Sequence, residues 1–174
     1  SATYRQASFA DTEQAADWHE RLNRDPEGTL YSRFPRHRLQ GETIRDCMLS
    51  VAGLLDYQAG GESVMPPLPI ELRGTLLKGQ WQTSQVAADH YRRSIYIFAR
   101  RNMRFPIFDA FDRPDAGASC ACRSRSTTAI QSLQMLNSEL AMQCAEALAE
   151  RLQRDVGDAT TPVPSKAWID QLFL

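Results

Sequence analysis

The sequence predicts a mainly α fold, a single irregular helical domain over residues 1–174 with a long Gly/Pro-rich loop. Apolar residues recur at helical spacing in several stretches, and Gly and Pro cluster between them. With 174 residues, 43% of them hydrophobic, the chain is long enough for one hydrophobic core. We expect about five or six helices, and a short strand pair stays an open option.

The first half of the chain contains two predicted helices followed by the loop. Residues 12–24, TEQAADWHERLNR, form a helical stretch that Pro26 and Gly28 bring to an end. The second helix has one apolar face, formed at i, i+4, i+7 and i+11 by Ile44, Met48, Val51 and Leu55. The loop covers residues 57–74, YQAGGESVMPPLPIELRG, and loops of this length are often functional.

Residues 91–108, YRRSIYIFARRNMRFPIF, fit two patterns. The alternation of isoleucine with aromatic residues suits a buried strand, while Tyr91, Ile95 and Phe98 suit one face of a helix. Because the rest of the chain is helical, we favour a helix here.

The last third of the chain predicts three helices. Thr127 caps one that begins at Thr128, with the apolar residues Ile130, Leu133 and Leu136. Ser138 caps the next, which has apolar residues at i+4 steps, Leu140, Cys144, Leu148 and Leu152, and ends at Gly157. Residues 165–174, SKAWIDQLFL, begin another amphipathic helix. We expect the chain to be part of a larger multidomain protein.

Charge and hydropathy exclude two function classes. The net charge is −1 and the pI is near 6.3, whereas a nucleic-acid binder normally shows a basic excess. No apolar run approaches the roughly 20 residues of a transmembrane helix, so we expect no membrane span in this chain.

The basic residues are almost all arginine, 18 against two lysines. Eight of the arginines lie between Arg92 and Arg125. Arginine forms flat bidentate pairs with carboxylates and tolerates partial burial. The bias therefore fits either structural Arg–carboxylate pairs or a pocket for an anion.

The four cysteines predict neither a metal site nor a cofactor site. Cys47 and Cys144 lie in helical patterns and are expected to be buried. Cys120 and Cys122 have C-x-C spacing in a loop, whereas metal sites usually use C-x-x-C pairs with further ligands. A disulfide from this pair to a helix cysteine stays open.

Residues 111–137, FDRPDAGASCACRSRSTTAIQSLQMLN, carry the candidate site. In one interpretation its aspartates pair with arginines of the PRHRL…IRD helix and hold two parts of the fold together. In the other, the arginines and the start of the following helix bind an anionic group. The candidate binding residues are Arg36, Arg45, Asp112, Asp115, Arg123 and Arg125. No catalytic residue is predicted, since nucleophile-elbow, zinc-protease and P-loop motifs are absent from the sequence, and we expect this chain alone not to be an enzyme.

Several motifs together resemble the planctomycete domain-of-unknown-function family 1553. The similarity spans nearly the whole chain, through SATYRQAS, PRHRLQGETIRD, GGESVMP, RRSIYIFARRN, FDRPD and STTAIQSLQMLN. Ala129, Cys122 and Ser138 depart from the family pattern, and the Cys122 departure weakens a metal site further.

The resemblance implies an exported module, in the periplasm or at the cell surface, at the C-terminus of multidomain proteins that often carry a cytochrome-c-like domain. It implies a non-catalytic structural or interaction role, with neighbouring domains of the same polypeptide as partners. Two alternatives stay open: binding or hydrolysis of an anionic, sulfated polysaccharide in an Arg/Asp-lined cleft, and electron transfer with a linked haem domain.

Overall fold

A computed structural model describes residue 8 and residues 15–34, 37–74, 76–77, 79–101 and 103–156. Within them lie six α-helices: α1 (Ala15–Arg24), α2 (Gly41–Val51), α3 (Ile70–Arg73), α4 (Pro106–Ala110), α5 (Ala129–Asn137) and α6 (Glu139–Val156). The predicted mainly α class is confirmed. No helix in this part of the chain is long and apolar enough to cross a membrane. The predicted helix over residues 165–174 lies outside the described residues.

The chain divides into two compact units, residues 1–38 and 39–174. The assignment of one domain to residues 1–174 stays a prediction.

The first unit contains α1 and the turn that follows it. The helix ends where predicted, just before Pro26. The buried carboxylate of Asp25 then organises the turn, because it accepts hydrogen bonds from the amides of Thr29 at 2.8 Å and Leu30 at 3.0 Å, and from the Ser32 hydroxyl at 3.1 Å. Burial opposes ionisation of Asp25, but these hydrogen bonds outweigh it and lower its pKa.

The second unit is built around α2, which packs on α4, α6 and the 3₁₀ helix Ser94–Tyr96. Its buried positions are Gly41, Arg45 and Leu49, four residues apart. Gly41 permits close approach to α4, since a Cβ there would lie 3.1 Å from the Phe111 Cβ and 3.2 Å from the Ile107 carbonyl oxygen. The main core cluster consists of Val64, Leu68, Ile97, Phe105, Ile107, Phe108 and Phe111.

The buried face of α2 differs from the predicted one. Ile44 and Met48 do pack against the core, but Val51 is 51% exposed. Cys47, expected to be buried, is exposed as well. Both lie two residues after a buried position, which rotates a helical side chain by about 200°. The prediction failed because the face runs through Arg45, a residue type that hydrophobic periodicity does not count.

The helix favoured for residues 91–108 is wrong. The chain there forms the 3₁₀ helix Ser94–Tyr96, isolated β-bridges and, from Pro106, the short α4. The Val64 amide donates to the Tyr96 carbonyl at 2.8 Å, and the Phe98 amide to the Val64 carbonyl at 2.9 Å. Tertiary pairing with the Gly/Pro-rich loop therefore replaces the local helical bonds. These contacts are isolated bridges, so within the described residues neither the strand alternative nor a short strand pair is formed.

The helices α5 and α6 form a pair joined at Ser138. Thr128 caps α5, one residue later than predicted. Ser138 caps α6 as predicted, its hydroxyl accepting the Ala141 amide at 3.2 Å. Cys144 and Leu152 are buried on the predicted apolar face of α6.

Candidate functional site

Asp112 ties the turn after α4 to the start of α5. Its carboxylate accepts hydrogen bonds from the Ser126 amide and hydroxyl, both at 2.8 Å. The Asp112 backbone has a left-handed φ of +60°, a conformation that aspartate tolerates better than most residues. The turn in FDRPD thus directs this carboxylate at the segment fourteen residues later.

The start of α5 extends this network into the core. Gln131 is 5% exposed, and its side-chain oxygen accepts the Thr128 amide at 3.3 Å. Its side-chain nitrogen donates to the Ser126 hydroxyl at 3.3 Å. Ser126 also contacts Asp112, so the FDRPD turn and the start of α5 are joined by a continuous series of hydrogen bonds. We call this region the corner; the polar groups named here already hydrogen-bond to one another.

Asp115 lies on the surface side of the same turn. One of its carboxylate oxygens accepts the Gly117 amide at 3.1 Å and lies 3.9 Å from a terminal nitrogen of Arg104. Its side chain is 60% exposed, so this ion pair contributes little stability.

Arg123 closes the corner against α2. A terminal nitrogen donates to Gln40 and Glu42 side-chain oxygens, each at 3.0 Å. Arg113 lies 3.9 Å from the same Glu42 carboxylate. These groups line one end of an open groove of about 610 Å³ that also reaches Cys47.

Arg45 is buried, since only 1% of it is exposed. Its guanidinium donates to the carbonyls of His90 at 2.6 Å and Arg92 at 2.9 Å, and to the Ser94 hydroxyl at 3.2 Å. Asp46 lies 3.6 Å away. Burial lowers the pKa of Arg45 to about 10, and the negative charge of Asp46 opposes that shift. The arginine stays charged at neutral pH.

Arg92 has a matching role that sequence reasoning missed. It is 4% exposed, donates to the carbonyls of Gln58, Gly60 and Glu62, and lies over the Tyr96 ring at 4.2 Å. It thereby holds the Gly-rich part of the loop in place. The abundance of arginine was the available signal, because a guanidinium can serve several carbonyls at once.

The five candidate binding residues that the structure describes do not gather in one cleft. Arg36 lies outside the described residues. Arg45 lines a different pocket from Arg123, Arg125 is exposed, and the aspartates lie in the corner. Arg45 does not pair with the aspartates of the FDRPD turn, because the carbonyls at 90 and 92 take its donors. For the other arginines of the PRHRL…IRD segment the structural interpretation stays a prediction.

That other pocket was not predicted. It encloses about 220 Å³ between the proline-rich end of the loop, the turn at Phe105 and the start of α6. Its residues come from five separate stretches of sequence, which no local pattern could have linked.

The four cysteines carry free thiols. Cys120 and Cys122 are exposed, and Cys144 is buried. Burial raises the pKa of the Cys144 thiol, and the charge of Arg45 opposes that shift. In the part of the chain that the structure describes, no group of three or more His, Cys, Asp or Glu side chains could hold a metal ion.

Comparison with known proteins gives a family and no activity. Neither a curated protein nor a solved structure matches the chain significantly. One family model, PSD1, described as a protein of unknown function (DUF1553), matches residues 1–174, the full length given. The family that the motifs predicted is therefore confirmed, and the chain belongs to the DUF1553 family.

Proposed function

We propose that this chain is a non-catalytic interaction module whose docking surface is the apolar face of α5. This face consists of Ile130, Leu133 and Leu136, which are 65%, 55% and 69% exposed. The opposite face of α5 buries Gln131. An amphipathic helix ordinarily turns its aliphatic side chains to the core. A helix that exposes three of them offers a surface of the kind that other protein surfaces cover.

The charged residues of the candidate site support an architectural role. The Asp112 carboxylate accepts a hydrogen bond from Ser126. Arg45 donates to carbonyl groups, and Arg123 donates to the Glu42 carboxylate. A sulfated polysaccharide is an extended chain and would need several such arginines at the surface, whereas Arg45 is almost fully buried and Arg123 already pairs with Glu42. These contacts favour the structural interpretation over binding or hydrolysis of an anionic polysaccharide. The alternative of electron transfer with a haem domain is supported only by the cytochrome-c-like domain that members of the family often carry.

We further propose that the partner of the α5 face is a neighbouring domain of the same polypeptide, in an exported protein of the periplasm or cell surface. Support comes from the family resemblance and from the type of surface. Interfaces between domains are smaller and more polar than permanent subunit interfaces, and three exposed aliphatic residues beside polar ones suit them.

Site-directed photo-crosslinking in the native full-length polypeptide tests this proposal. A photoreactive phenylalanine analogue at Leu133 should crosslink to residues outside 1–174. The matched control carries the analogue at the exposed Glu146, on α6 and outside the α5 face, and should crosslink far less. Equal yields at the two positions, or crosslinks confined to residues 157–174, would contradict the proposal.

A further inference from the structure

The pocket beside α6 has walls suited to a flat apolar group. Its volume is about 220 Å³, below the roughly 300–1,000 Å³ typical of pockets for drug-sized ligands. One side is formed by rigid apolar side chains, Pro66, Pro67, Pro69, Phe105, Pro106 and Ile107. Phe105 is fixed in turn by ring contacts with Trp81 and Phe108, at centroid distances of 6.3 Å and 5.3 Å. The pocket therefore accommodates about one ring with a small substituent.

The pocket also lies beside an incompletely compensated positive charge. Arg45 is one of its lining residues and is 99% removed from solvent. Two of its three nitrogens donate to uncharged acceptors, and its Nε makes no hydrogen bond within the described residues. The carboxylate of Asp46 lies 3.6 Å away and also accepts the Ser94 amide and hydroxyl. Its negative charge is therefore shared among several donors.

The start of α6 also lines the pocket. Ser138, Glu139 and Gln143 line it, and α6 is 18 residues long. The N-terminal end of a helix carries a partial positive charge, which favours an anion nearby. Glu139 is exposed there and provides the opposing negative charge. The lining of the pocket thus contains a buried cation and a solvent-screened carboxylate.

We propose that this pocket binds a small organic carboxylate, with its ring against the prolines and Phe105 and its carboxylate on the Arg45 side. The buried charge is screened less by water than the exposed Glu139, so the field inside the pocket is positive. This inference goes beyond the proposed interaction role, because it concerns a separate pocket and a different class of ligand.

The Trp81 indole gives a local readout of binding. Its N–H donates to the Pro66 carbonyl at 2.8 Å, and Pro66 is a wall of the pocket. Sodium benzoate, titrated into the 174-residue chain, should therefore move the Trp81 indole resonance in a saturable manner. The resonance is assigned through Trp81→Phe. Benzamide, which has the same ring and no charge, should bind at least about fivefold more weakly.

Three variants on α6 test the charge and the location. Glu139→Gln removes the opposing rim charge and should tighten benzoate binding by about threefold to tenfold. Glu146→Gln removes the same charge from an exposed position outside the pocket and should leave the affinity unchanged. Gln143→Trp places a bulky ring at the exposed rim, so the core is not disturbed, and should abolish the titration.

Each contrary result would overturn the proposal. No saturable shift with benzoate means that the pocket does not bind carboxylates. Equal affinities for benzamide and benzoate would show that the Arg45 charge does not contribute to binding. A Glu146→Gln effect as large as that of Glu139→Gln assigns the change to the overall charge of the helix.

Discussion

Replacing Asp112 by Ala should destabilise the second unit markedly. The change removes the carboxylate that accepts the Ser126 amide and hydroxyl. It also places alanine at a φ of +60°, where a Cβ is disfavoured unless the side chain forms local hydrogen bonds. Both effects act on the folded state and in the same direction.

The expected loss is about 2–3 kcal/mol in the free energy of unfolding. Hydrogen bonds to a charged group contribute about 1.5–3 kcal/mol, and the half-buried setting of Asp112 favours the lower end. The left-handed backbone adds a cost of about 1 kcal/mol for alanine. For a chain of this size the melting temperature should fall by about 4–12 °C. Asp112→Asn keeps an acceptor and tolerates the backbone, so it should lose only about 1 kcal/mol.

Urea denaturation followed by circular dichroism measures the loss, and hydrogen exchange at the Ser126 amide locates it. Asp115→Ala is the matched control, because Asp115 lies in the same turn but is 60% exposed. It should cost less than about 1 kcal/mol. Equal free energies of unfolding for Asp112→Ala and Asp115→Ala would show that the Asp112 hydrogen bonds do not stabilise the fold. Unchanged hydrogen-exchange protection of the Ser126 amide in Asp112→Ala would show the same.

Arg45, Cys144 and Asp25 each provide a further test. Arg45→Met should lower the free energy of unfolding by about 3–5 kcal/mol, because buried acceptors lose their donor; a loss below about 1 kcal/mol in urea would refute this. Maleimide labelling followed by mass spectrometry should modify three thiols rapidly and Cys144 only on unfolding, and four rapid reactions would refute the burial. The folded-state pKa of Asp25 is lowered, so its stabilisation is complete above the ordinary value of 3.8 and is lost as pH falls through the folded value. Asp25→Asn should therefore flatten the acid loss of protection at the Leu30 amide, and an unchanged pH profile would contradict this.

Local signals predicted the elements that local forces determine. The helix α6 was found with its cap at Ser138, because the cap and the i+4 apolar series lie within that stretch. The end of α1 was also predicted from a local signal, since Pro26 and Gly28 follow it closely in the sequence. The corner was also partly predicted, since Asp112 does accept hydrogen bonds from the segment ahead of α5. The donors are the Ser126 amide and hydroxyl, and Arg45 is engaged elsewhere.

The errors occurred where distant residues decide the structure. Residues 91–105 carry enough aliphatic and aromatic side chains for a helix, but their backbone pairs with residue 56, just before the loop, and with residue 64 within it. The buried face of α2 includes Arg45, whose burial depends on acceptors more than 40 residues away. The pocket combines five stretches of sequence and has no local signature. Periodicity reports local burial, and these features depend on contacts between segments.

The motifs that carry the family resemblance contact one another in the folded chain. Arg45 of PRHRLQGETIRD donates to the Arg92 carbonyl and the Ser94 hydroxyl in RRSIYIFARRN. Arg92 in turn donates to carbonyls within GGESVMP, among them that of Glu62. Asp112 of FDRPD accepts from Ser126, the first residue of STTAIQSLQMLN. Lysine could not replace either arginine, because a single ammonium lacks the planar fork that bonds separate carbonyls together. The contacts between the motifs order a core with little regular secondary structure, and this structural role is enough to explain the motifs. A search for a partner should therefore begin on α5 rather than at the motifs.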